Sequence, residues 1–194
     1  MPNKFNKERT LIIVALEQEL PKFLIPEWNV CYTGVGKINS IIMVQQAVAS
    51  QSPDTLINYG TAGAINKRIS GLHEVTLFEQ RDMDARALGF KIGETPFDPI
   101  SSIDLGRPGL SCGSGDNFVI DGKSLATDLV DMEAYGLAKY SLTNGLDFHC
   151  FKYVSDQANK DAVDRWNNIE WLSQMFLNGA NLFIQNVLAG NNIE

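Results

Sequence analysis

Phe148-His149-Cys150-Phe151-Lys152-Tyr153-Val154-Ser155-Asp156 reads as a buried strand that delivers an acid, Asp156, at its C-terminal end. Open α/β sheets place their ligand sites at that rim. Upstream, Leu129-Val130-Asp131-Met132-Glu133-Ala134-Tyr135-Gly136-Leu137-Ala138 sets Glu133 in an apolar stretch where a short strand gives way to a helix. A carboxylate in such surroundings needs a partner. Two acids at one rim suggest a site for a polyhydroxylated, protonatable small molecule.

Working outward, residues 10–16, Thr-Leu-Ile-Ile-Val-Ala-Leu, form the continuous apolar run expected of a strand covered on both faces. A helix of about seven residues is expected to follow until Pro26, then a strand near 29–33 that runs into Gly34-Val35-Gly36. The spacing predicts a helix over 37–50 that buries Ile38, Ile41, Ile42 and Val48. Residues 54–60, 72–78, 110–113 and 148–154 read as further strands, and 79–108, rich in proline and glycine, as a surface excursion. From Trp166 to Leu188 the stripe Ile169, Leu172, Phe176, Ala180, Phe183 and Val187 predicts one long amphipathic helix. Alternating strands and helices imply an α/β sandwich in a single domain, 1–194.

The 194 residues carry 16 Lys and Arg against 23 Asp and Glu, a net charge of −7 that argues against a nucleic-acid surface. The polar opening lacks a signal-peptide core and no apolar run reaches a membrane span, so a soluble, cytoplasmic protein with no membrane partner is expected. Cys31, Cys112 and Cys150 sit in strand-like contexts and read as reduced core thiols. With only two histidines beside them, no metal site is expected. Gly34-Val35-Gly36-Lys37 does not complete a phosphate loop, because Cys31 and Ile38 stand where that motif requires Gly and Ser or Thr.

Six segments in collinear order carry a family resemblance. Val130-Asp131-Met132-Glu133-Ala134 resembles the V-[ED]-M-E-[AG] signature of the purine nucleoside phosphorylase and nucleosidase superfamily, and Val154-Ser155-Asp156 the purine-specific S-D that follows it. Ala15-Leu16-Glu17-Gln18-Glu19, Thr33-Gly34-Val35-Gly36-Lys37, Asn58-Tyr59-Gly60-Thr61-Ala62-Gly63 and Ser114-Gly115-Asp116-Asn117-Phe118-Val119 are similar to segments of the methylthioadenosine/S-adenosylhomocysteine nucleosidases. The resemblance implies a three-layer α/β/α sandwich around a central mixed sheet, a purine nucleoside as ligand and no cofactor. It also implies a homodimer, because Arg81–Phe90 resembles a segment that reaches into the neighbouring subunit's pocket in the dimeric nucleosidases.

Cleaving an N-glycosidic bond passes through a ribosyl cation-like state. It needs a proton for the departing base, a hold on the sugar hydroxyls and an activated nucleophile. The resemblance gives these roles to Asp156 as general acid, Glu133 on the ribose and Glu19 on the attacking water, with Ser155 orienting Asp156. An acid that keeps its proton near neutral pH needs desolvation or a neighbouring negative charge, which an apolar strand end could provide. Glu17 and Glu19 share one turn, and alignment on Ala15 selects Glu19. Met132 matches the residue packed under the ribose, Phe118 and Val119 the adenine site, Thr61, Ala62 and Gly63 the turn close to ribose and water, and Leu88 a residue at the 5′ group.

Asn58 stands where the bacterial phosphorylases carry a phosphate-binding Arg, which favours hydrolysis over phosphorolysis. A non-catalytic nucleoside-binding relative is the other alternative. The stretches from Glu19 to Trp28 and from Val119 to Asp131 are shorter than in relatives. Lys152 replaces the usual Arg, and Leu88 the usual Phe, which leaves the 5′ substituent open.

Overall fold

The computed structural model describes residues 5–122 and 125–190, so the first four residues of the polar opening lie outside the described part. Eight strands form one mixed sheet: β1 (Thr10–Val14), β2 (Asn29–Tyr32), β3 (Thr55–Ala64), β4 (Leu72–Gln80), β5 (Ser102–Asp104), β6 (Leu110–Ser114), β7 (Leu129–Asp131) and β8 (Asp147–Asp156). The helices are α1 (Lys37–Gln51), α2 (Ala134–Asn144), α3 (Asp161–Trp166) and α4 (Ile169–Leu182), the last continued by a wider π-helical turn over Phe183–Leu188.

The mixed α/β architecture agrees with the sequence reading, but the sheet is not the flat centre of a sandwich. β8 pairs with β3 in parallel and with β4 antiparallel, and the path β3-β7-β6-β4 links those two strands, so five strands close into a ring. β1 and β2 extend the sheet from β3, and β5 edges β4. Closure depends on the length of β3 and β4 and on register shifts at Ala62/Gly63 and Val75/Leu77. Such bulges add local twist and let one strand exchange partners along its length. Alternating hydrophobicity carries no mark of a bulge, which is why the sequence predicts a sandwich.

β1 shows why its run is continuously apolar. Leu11 and Ile13 enter one core with Val44, Leu56, Phe78 and Leu137, whereas Ile12 and Val14 enter a second with Ile57, Phe151, Phe183 and Val187. Helices therefore cover both faces, α1 and α2 on one side and α4 with its terminal turn on the other.

Three helical expectations are corrected. After β1 there is no seven-residue helix but two 3₁₀ turns, Glu17–Glu19 and Lys22–Leu24, separated at Pro21, which lacks a backbone donor. On α1, Ile38 and Ile42 are 70% and 50% exposed, while Ser40 and Val44 are buried; small Ser40 lets the helix lie close, and Ile41 meets α2 at Gly136. The C-terminal helix is broken at Asn167-Asn168, where the Asn168 side chain accepts the Trp171 N–H at 3.0 Å and caps α4. Ile169 is consequently exposed rather than on the core stripe, and Trp166 ends a helix instead of starting one.

Candidate active site

The C-terminal ends of β3, β7 and β8 and the first 3₁₀ turn surround a cavity of about 210 Å³. Of the residues singled out from sequence, Glu19, Thr61, Ala62, Gly63, Phe118, Val119, Met132, Glu133, Ser155 and Asp156 line it, and Leu88 does not. Leu88 sits 71% exposed in a separate turn, Arg86–Leu88. Sequence reasoning gave no role to Asp131, Arg81 or Trp166, which also line the cavity, and noted Lys152 only as a departure from the family pattern.

Four ionisable groups meet there, all buried. Lys152 Nζ, reached from the middle of β8, lies 2.8 Å from Asp131 Oδ2 at the end of β7. Asp131 also accepts the Ser114 hydroxyl at 2.5 Å and the Ala134 N–H at 2.9 Å. Burial acts to raise the Asp131 carboxyl, yet Lys152 and these donors hold it below the usual range. Burial likewise pulls on the Lys152 ammonium, but the surrounding acids, Asp131 foremost, hold it above the ordinary lysine value.

The other two carboxyls have less compensation. Glu19 is held at the 3₁₀ turn: Oε1 accepts the Thr61 N–H at 2.9 Å and the Thr61 hydroxyl at 2.7 Å, and Oε2 accepts the Leu16 N–H at 3.1 Å. Burial still outweighs these bonds, and its pKa is raised. Glu133 occupies the position preceding α2, and its Oε1 accepts the Gly36 N–H at 2.9 Å. Its pKa is pushed up to about 7, by burial first and by the charge of Asp131 second.

That bond explains the glycine turn before α1. Gly34 and Gly36 have φ of +74° and +99°, a region that favours glycine, and the conformation aims the Gly36 N–H at the protein's own carboxylate. The Lys37 ammonium pairs with Asp82, and the Lys37 N–H donates to Asp116 Oδ1 at 2.9 Å. No phosphate loop is formed, as the sequence indicates. Arg81 braces the segment ahead of Phe118: its guanidinium donates to the Gly113, Gly115 and Asn117 carbonyls at 3.1, 3.0 and 2.7 Å and to Asn117 Oδ1 at 2.6 Å.

Asp156 is held separately. Its Oδ2 accepts the Trp166 indole N–H at 3.1 Å and lies 2.8 Å from the Ser155 hydroxyl, and its Oδ1 accepts the Ala158 N–H at 2.8 Å. Gly63 makes room: a Cβ there would stand 3.0 Å from Asp156 Oδ1.

Asp156 and the cluster of Lys152, Asp131, Glu19 and Glu133 thus line one cavity, each held by its own partners. Comparison with known proteins finds similar chains among nucleosidases. The chain is 29% identical over 158 residues, 67% of its length and 68% of the other's, to the 5′-methylthioadenosine/S-adenosylhomocysteine nucleosidase of Staphylococcus carnosus. The motif resemblance to the purine nucleoside phosphorylase and nucleosidase superfamily is thus matched by sequence similarity over two thirds of the chain. Its fold matches that of the Neisseria meningitidis 5′-methylthioadenosine/S-adenosylhomocysteine nucleosidase in complex with methylthio-immucillin-A, with TM-score 0.76, 21% identity and 93% and 99% of the two chains covered. It matches Helicobacter pylori futalosine hydrolase at TM-score 0.80 with 17% identity, covering 93% and 97%. No protein-family model matches the chain.

The raised Glu133 pKa fixes a dependence of stability on pH. Because the folded state binds this proton more tightly than the unfolded chain does, ionising Glu133 in the fold costs stability. The cost is complete above pH of about 7, shrinks as pH falls toward the ordinary value of 4.5, and vanishes below it, where both states are protonated. It is on the order of 3 kcal/mol. Glu133→Gln keeps an oxygen for the Gly36 N–H, so it should melt several degrees above the parent chain at about pH 8.5, with the gap closing by about pH 5. Thermal melts across that range check this, and a variant less stable than the parent at high pH would contradict it.

Proposed function

We propose that this chain hydrolyses the N-glycosidic bond of a purine nucleoside, an adenosine with a substituent at the 5′ position. The observation that carries the reading is the convergence of Glu19, Glu133 and Asp156 on one cavity, each held by fixed donors. Asp156 gives its proton to N7 of the base as the C1′–N9 bond breaks. Glu133 accepts from the ribose hydroxyls, and Glu19 takes a proton from water as its oxygen bonds to C1′. A carboxylate whose pKa burial raises is a stronger base than one in water, which suits Glu19 to that step. Phe118 and Val119 receive the base, with Met132 beneath the sugar and Thr61, Ala62 and Gly63 beside it.

Charge favours hydrolysis over phosphorolysis. The cavity's cations are committed, Lys152 to Asp131 and Arg81 to backbone carbonyls. Asn58, in the position of the phosphorylase arginine, donates to the Ile13 carbonyl at 3.2 Å. A phosphate dianion would enter a site lined by four carboxyl groups, Glu19, Asp131, Glu133 and Asp156.

The 5′ group is supported by an apolar groove that shares Leu16 and Trp166 with the cavity and runs between the 3₁₀ turns and α4, along Leu24, Leu172 and Phe176. It has room for a substituent larger than methylthio. Exposed Ile38, Ile42 and Leu88 support the further proposal that a second copy of the chain covers these side chains and brings Leu88 near its partner's cavity. Among the described residues no helix is long and apolar enough to cross a membrane.

Incubation with methylthioadenosine, S-adenosylhomocysteine, adenosine and inosine, each with and without phosphate, tests the reading. Adenine release without phosphate is expected, and strict phosphate dependence would make the chain a phosphorylase. Asp156→Asn should lower turnover by about a hundred- to ten-thousandfold with binding largely kept, since the amide has no proton to give; near-normal turnover would remove Asp156 from the mechanism. Binding without turnover by the parent chain would favour the non-catalytic alternative. Sedimentation should show a dimer, and a fully active monomer would exclude the partner role of Leu88.

A further inference from the structure

Trp166 closes α3, and its ring joins three parts of the site. It stands edge-on to Phe118 with centroids 6.1 Å apart and edge-on to Phe176 of α4 at 6.0 Å, while its N–H reaches Asp156 Oδ2 at 3.1 Å. The Asp156 oxygens are thus unequal. Among the described residues, Oδ2 has two partners, Trp166 and the Ser155 hydroxyl, whereas Oδ1 has only the Ala158 N–H. A carboxyl oxygen offers two lone-pair directions, so Oδ2 is filled and Oδ1 keeps one open. The Ser155 hydrogen could instead point to the Ala62 carbonyl, at 3.2 Å. Oδ2 would then give any proton it carried to Ser155, and it is committed to the protein in either case.

The geometry points to Trp166 as a positioning residue for the general acid: with Ser155 it engages Asp156 Oδ2, so that Oδ1 carries the proton handed to the departing base. The inference rests on the nucleosidase reading. In the step, the Oδ1–H bond breaks and the N7–H bond forms. The C1′–N9 electron pair passes to the base, and Asp156 is left as a carboxylate. Donors bind a carboxylate more strongly than a neutral acid, so the Trp166 bond tightens as the proton leaves. An interaction that strengthens toward the transition state affects kcat, whereas ring packing felt equally by bound substrate affects KM.

Two substitutions separate the donor from the ring. Trp166→Phe keeps an aromatic ring between Phe118 and Phe176 and removes the N–H. It should lower kcat by about ten- to a hundredfold, the worth of a hydrogen bond to a charged group, while KM stays within about threefold. Trp166→Gln restores a neutral N–H donor without the ring; it should raise KM and keep kcat above that of the Phe variant. Both are measured on the 5′-substituted adenosine that the parent chain cleaves best. Parent-level kcat in Trp166→Phe, or a kcat in Trp166→Gln as low as in Trp166→Phe, overturns the assignment while leaving the nucleosidase reading in place. A parent chain that cleaves no adenosine derivative overturns the nucleosidase reading and this inference with it.

Discussion

Three buried carboxyl groups, Glu19, Asp131 and Glu133, share one buried ammonium, that of Lys152, and the rest of the site is arranged around that imbalance. Taking an ion out of water costs several kcal/mol even after relaxation, so each charge in such a place needs compensation. Lys152 and Asp131 provide it for each other. Among the described residues Glu19 and Glu133 accept hydrogen bonds from neutral donors alone, and burial outweighs the pull of the Lys152 charge and pushes both toward their protonated forms. The cavity is therefore short of positive charge. On the proposed reaction that shortage is useful, because the sugar becomes positive only as the glycosidic bond breaks, and fixed groups that favour the charge at that moment lower the barrier.

The closed ring of strands makes the cluster possible. β3 and β8 run side by side in parallel, so the segment from Asn58 to Gly63 lies beside the segment from Cys150 to Asp156, and β7 brings Asp131 against the end of β3. Gly60 falls between Glu19 and Lys152, since a Cβ there would stand 3.6 Å from both Glu19 Oε1 and Lys152 Nζ. The bulge at Ala62/Gly63 bends β3 where Asp156 pairs with Gly63, which sets the acid apart from the carboxyl cluster.

Much of this was legible in the chain. A continuous apolar β1 announced two covered faces, and acids placed in apolar stretches at strand ends announced buried carboxyl groups with fixed partners, because burying a carboxylate alone is costly. Other features depend on pairings or surroundings that periodicity does not encode. Ring closure rests on two register shifts, and the exposed face of α1 on the closeness that Ser40 permits. The break at Asn167-Asn168 was signalled by a helix-capping residue inside an apolar stripe and was overridden by the stripe. Trp166 and the Lys152–Asp131 pair escaped because their meaning lies in partners that chain direction and side-chain reach bring together.

The central claim is that water, activated beside the carboxyl cluster, attacks the sugar while Asp156 protonates the base. Mass spectrometry of the sugar product, after cleavage of a 5′-substituted adenosine in water enriched in heavy oxygen, tests it most directly. The account predicts one heavy oxygen in the fresh sugar product, carried on C1′, with free adenine beside it. A sugar 1-phosphate with no label from water would contradict it.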